Sequence, residues 1–113
     1  MIEEIILNYL NENLEEPVFM ERPEEVPSSY IILEKIGSSM ENYIYRDVFA
    51  IQSYGKSLLD AAELNEKVKS VMNDGLIFLD NIASVKCIND YNFTDTTTKQ
   101  YRYQAIYDIV NYK

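Results

Sequence analysis

The sequence predicts an α+β fold in the order α-β-β-β-α-β-β, a largely antiparallel sheet packed against helices. Two segments space their apolar residues at helical intervals, several others alternate or are rich in β-branched and aromatic residues, and Pro, Gly and Asn punctuate the joins. At 113 residues one domain with one core is expected.

The first element is an amphipathic helix over 2–14, with Ile2, Ile5, Ile6, Tyr9 and Leu10 on one face. Pro17 fixes its own φ and disfavours helix at Glu16, so the helix stops by there, and Val18 to Glu21 is read as a short strand. Pro23 and Pro27 then remove two N–H donors, which makes 22–28 a loop or sheet edge. "SYIILEKI", 29–36, is a strand, and "GSSMEN" is expected to supply the turn after it.

"YIYRDVFAIQSY", 43–54, is read as a long strand with Tyr43, Tyr45, Phe49 and Ile51 on one face. Its other face carries Ile44, Val48 and Ala50, which implies cover on both sides. A helix follows, with Ser57 as cap, Asp60 three residues on, Leu58, Ala61, Ala62, Leu64, Val68 and Val71 on the packed face, and Gly75 as stop. Of the last two strands, 82–93 places Val85, Cys87, Tyr91 and Phe93 on one face. The strand 100–110 places Tyr101, Tyr103, Ala105, Tyr107 and Ile109 there, with "TDTTTK" as the connection.

The chain has 47% hydrophobic and 26% charged residues, a composition that excludes a disordered tail. One Cys and no His exclude an internal disulfide and argue against a metal framework; no cofactor is expected. No nucleophile elbow, Gly-rich phosphate loop or convergent carboxylate pair is visible, so an enzyme is not expected. The N-terminus lacks signal-peptide features and no segment is apolar enough to span a bilayer, so a soluble product without membrane association is expected.

The net charge of −9 is unevenly placed: residues 1–41 hold ten acidic and two basic groups, net −8, against nine and eight in the remainder, net −1. Such a field repels phosphate and disfavours sequence-specific nucleic-acid binding. An acidic inhibitor mimicking nucleic acid would spread its carboxylates along the fold, whereas here the excess is confined to the first third. Ten tyrosines without a tryptophan supply rings that serve either sheet packing or subunit contact.

The stretch from Val18 to Met72 resembles the tail terminator and tail-completion proteins of long-tailed bacteriophages. The resemblance rests on "P-x-x-Y-I-I-L" beginning at Pro27, the "G-S-S" at 37–39, and the strand-to-helix passage 48–72. In that passage "IQSYGKS" gives way to "LLDAAELNEKVKSVM". It implies a structural virion protein that forms a homo-hexameric ring, caps the major tail tube protein, ends polymerisation and joins a head-completion or neck protein, with DNA passing through the lumen. A head-completion or neck protein is the neighbouring alternative. The expected place is the head-proximal end of the virion tail, after assembly in the host cytoplasm. The expected contact residues are Glu21, Arg22, Glu24 and Glu25 ahead of the second strand, Ser38 and Ser39 at its turn, and Asp95, Thr96, Thr97 and Thr98 in the late loop.

Overall fold

The computed structural model describes residues 1–112. Helix α1 (Ile2–Asn13) leads through β1 (Val18–Phe19) to the long strands β2 (Tyr30–Glu41) and β3 (Ile44–Gly55). Helix α2 (Leu58–Gly75) and a 3₁₀ turn (Leu76–Phe78) precede β4 (Ile82–Asn92) and β5 (Tyr101–Tyr112). The five strands form one sheet in the order β1-β2-β3-β5-β4, antiparallel except for the β1–β2 pair. This is the predicted α+β fold.

Both helices lie on one face of the sheet. Ile6 and Leu10 of α1 and Leu64, Val68 and Met72 of α2 share a core with Ile31, Leu33, Phe49, Ile51, Ala105, Tyr107 and Ile109. Among the described residues the expected second cover over β3 is therefore absent as a helix. Ala50 is nevertheless buried on the open face, where Glu34 and Ile106 are its cross-strand neighbours. Within the predicted helix stripes Ile5 and Leu58 are exposed, while Asn65 and Met72 of α2 are buried instead. Ser57 caps α2 as predicted, its Oγ accepting from the Asp60 N–H at 3.1 Å.

The predicted "GSSMEN" turn is corrected. Strand β2 runs on to Glu41, and Ser38 and Ser39 lie inside it opposite Asp47 and Arg46. The chain reverses instead at Asn42 and Tyr43, whose φ values of 53° and 66° are those of a two-residue hairpin turn with both central residues left-handed. Asn tolerates that conformation; a bulky Tyr stores strain in it. The polar run is accommodated because a bulge at Ile36 shifts the register and turns Ser38 toward Asp47.

A second bulge changes the predicted face of β4. Val85 and Cys87 pair with Ile109 and Tyr107 on the helix side, but the extra residue Ile88 shifts the alternation. Asp90 then faces α2, where its carboxylate accepts from Asn65 Nδ2 at 2.7 Å and Lys69 Nζ at 2.5 Å. The bond to Asp90, and then the one to Glu66, raise the Lys69 pKa above its ordinary value. Tyr91 and Phe93 are consequently carried to the open face, opposite to the expectation.

Gly75 ends α2, but with φ of −134°, so left-handed capping is not its purpose. A Cβ there would fall on the Tyr9 hydroxyl, which donates to Val71 O at 2.6 Å. The missing side chain thus lets α1 seat against α2. Gly55 similarly permits the end of β3 to pass the first turn of α2, since its Cβ would lie 2.5 Å from Ala61 N.

Candidate functional site

The register sorts the candidate contact residues into two places. Tyr30 of β2 pairs with Tyr54 of β3, and Tyr54 with Arg102 of β5, so loop 20–29 and loop 93–100 meet the same end of the sheet. Glu21, Arg22, Glu24 and Glu25 are exposed in the first loop, and Asp95 to Thr98 lie in the second. Ser38 and Ser39 sit elsewhere: Ser38 pairs with Asp47, seven residues along β3 from Tyr54, roughly 24 Å away at strand rise.

An aromatic and cationic chain links the two loops. The Tyr30 and Tyr54 rings stack with centroids 4.5 Å apart. Arg102 lies 4.4 Å from the Phe93 centroid, donates through Nη1 to Tyr54 Oη at 3.1 Å, and donates through Nε to Phe93 O at 2.7 Å. Tyr91 meets Phe93 edge-on, and Gln104 donates to the Tyr91 hydroxyl while accepting from Gln52 at 2.8 Å. Burial, and then the neighbouring Tyr54, raise the Tyr30 pKa, so this cluster keeps a neutral phenol beside Arg102.

The late loop closes on itself. Asp95 Oδ1 accepts from the Thr97 and Thr98 N–H groups at 3.0 and 3.4 Å, which holds its carboxyl below the usual carboxylate range. Thr94 Oγ1 accepts from Arg102 N at 3.2 Å, and Asp95 bridges to Gln100. This is an ordered hairpin loop presenting threonines, and its form does not require a partner.

At the opposite end the helices run out before the strands do. Strands of 12 residues extend about 40 Å at strand rise, whereas the 18-residue α2 spans about 27 Å. The difference leaves a cleft of about 510 Å³ over the sheet near the β2–β3 hairpin, walled by the first turn of α1 and by Asp80 to Ile82. Asp47 lies on its floor, 2% exposed, accepting from Ser38 Oγ at 2.5 Å and Asn111 Nδ2 at 2.9 Å.

Sequence reasoning missed Asp47 and Asn111. The available signal was an interruption: Asp47 breaks the stripe Tyr43, Tyr45, Phe49, Ile51, and Asn111 follows Ile109 at the next position on the same face. Among the described residues no group of three or more His, Cys, Asp and Glu side chains is gathered to hold a metal, and no helix is long and apolar enough to cross a membrane. No protein-family model matches this sequence, and no curated protein matches it.

Proposed function

We propose that this chain is a structural assembly subunit of the phage tail-terminator kind. In this reading it forms a homo-hexameric ring, caps the tail tube, stops its growth and offers a surface for joining the head. Catalysis has no part in it, and the activity is one of shape and contact.

The observation that supports the reading best is the pair of unpaired sheet edges. Among the described residues strand β1 pairs only with Ile31 and Ile32, so the rest of β2 has no strand outside it, and β4 forms the other edge. Two different edges on one subunit permit a head-to-tail contact that closes into a ring when the rotation fits. Each edge carries a bulge with an exposed isoleucine, Ile36 at 52% and Ile88 at 51%. Bulges limit indiscriminate edge pairing and so favour one register over open polymerisation. The acidic loop 20–28 lies beside the β2 edge, where it is placed to steer the contact.

Light scattering combined with electron microscopy of the chain mixed with tail tubes tests this. The reading expects ring-shaped caps at one tube end and tubes of limited length. Tubes that stay bare and grow without limit would sink it, and binding to isolated portals but not to tubes would move the chain to the neck.

A further inference from the structure

Ring closure through the sheet edges leaves the cleft at the hairpin end unused, so an occupant of that cleft does not depend on the ring. The carboxylate of Asp47 is buried at the cleft floor, and among the described residues it forms no ion pair. Buried charges are ordinarily paired, because removing them from water is costly. Here Ser38 and Asn111 supply one hydrogen bond to each oxygen, which leaves further lone pairs and a whole negative charge.

The surroundings add a second carboxylate and an apolar shaft. Asp80 stands at the rim, while Glu3 and Lys35 neutralise one another at 3.1 Å. The positive end of α1 is answered by Glu3 and Glu4 in its own first turn. Counted by side chains, with Glu3, Asp47 and Asp80 against Lys35, the lining carries an excess of two negative charges. Ile2, Ile5 and Ile82 form walls, and exposed Met1 and Tyr112 flank the mouth. Nearby at the hairpin, Met40 and Tyr43 are also exposed.

We propose that this cleft is a docking socket for an arginine side chain presented by a different polypeptide. An apolar wall suits the trimethylene stem, and the guanidinium fork reaches the free lone pairs of Asp47 with Asp80 at the rim. Methionine and tyrosine around a pocket with a desolvated centre match the anatomy of interface hot spots, where arginine is itself enriched. A cleft of about 510 Å³ exceeds one arginine and admits an aliphatic neighbour as well. A second copy is the poorer occupant: each chain carries −9, and of its three arginines Arg46 is paired with Asp108, Arg102 is held against rings, and Arg22 sits in an acidic loop among Glu21, Glu24 and Glu25.

The test is an amide NMR titration of the full chain with the peptide acetyl-Leu-Arg-Leu-amide and with its citrulline counterpart. Saturable shifts are expected at Ser38, Tyr45, Asn81 and Asn111 with the arginine peptide only, weakened at least tenfold by Asp47→Asn. Should that variant lose its fold, Asp80→Asn on the rim carries the test, with a threefold or greater weakening expected. Absent shifts, equal binding of the citrulline peptide, or unchanged affinity in the folded variants overturn the proposal. Butylguanidinium binding as tightly as the peptide overturns the assignment to a polypeptide. A change in the sedimentation of folded Asp47→Asn alone overturns it in favour of a second copy.

Discussion

Replacing Gly75 by alanine tests how α1 is held, and α1 forms one wall of the cleft. The new Cβ falls on the Tyr9 hydroxyl and 3.3 Å from Tyr9 Cζ, so the ring must move and its bond to Val71 O is lost. Overpacking of this kind costs about 1–3 kcal/mol and the lost hydrogen bond about 1 kcal/mol. Alanine returns up to about 1 kcal/mol by restricting the unfolded chain. The net loss is about 1–3 kcal/mol, and for 113 residues each kcal/mol moves Tm by about 4 °C. Thermal unfolding by circular dichroism should therefore show Tm falling by about 4–12 °C. Tyr9→Phe removes the clashing oxygen, so the double variant should be no less stable than Tyr9→Phe alone. A Gly75→Ala chain melting at or above the parent, or a double variant with additive losses, refutes the reasoning.

Four other outcomes rest on the same geometry. Asp90→Ala leaves Asn65 Nδ2 buried without its acceptor and should cost about 1–3 kcal/mol in urea unfolding. Tyr43→Gly relieves a left-handed tyrosine worth about 1–2 kcal/mol, offset in part by glycine's greater unfolded entropy, so denaturation should show unchanged or slightly raised stability. Burial raises the pKa of Tyr9, Tyr30 and Tyr107, seconded by Asp74, Tyr54 and Cys87 respectively. The folded state thus favours the neutral phenols. Stability from this source is fully present below about pH 10 and is lost as pH rises through the folded values, so absorbance at about 295 nm should show a late alkaline step accompanying unfolding. Tyr107→Phe should shrink that step, and full ionisation of the folded chain near about pH 10 would contradict the assignment. Charge reversal at Arg22, or at Glu24 and Glu25 together, should impair assembly in light scattering while changing stability by no more than about 0.5 kcal/mol, because these groups lie in a surface loop.

Element order was legible because local rules and packing agree over most of the chain. Ser57 read as a cap is a cap, Pro23 and Pro27 keep 22–28 out of the sheet, and the alternation of β5 places Ala105, Tyr107 and Ile109 in the core. Failures gather at two of the three bulges. A single extra residue at Ile36 or Ile88 reverses every later side chain on its strand, and only the partner's register reveals it. The hairpin turn was missed because "GSS" is the more familiar turn chemistry, whereas the actual reversal uses a tyrosine where glycine is normal. Of the candidate site, the loop residues were legible from proline and charge. Asp47 was not, because its place on the floor of a cleft depends on α2 being shorter than the strands it covers.

The most direct test of ring formation and tube capping is electron microscopy of the purified chain added to growing tail tubes, with the mass of the free chain followed by light scattering. Six-fold rings built from 13.2 kDa subunits are expected, seated at one end of tubes that stop lengthening. A chain that stays monomeric at every concentration, beside bare tubes that keep growing, would contradict it.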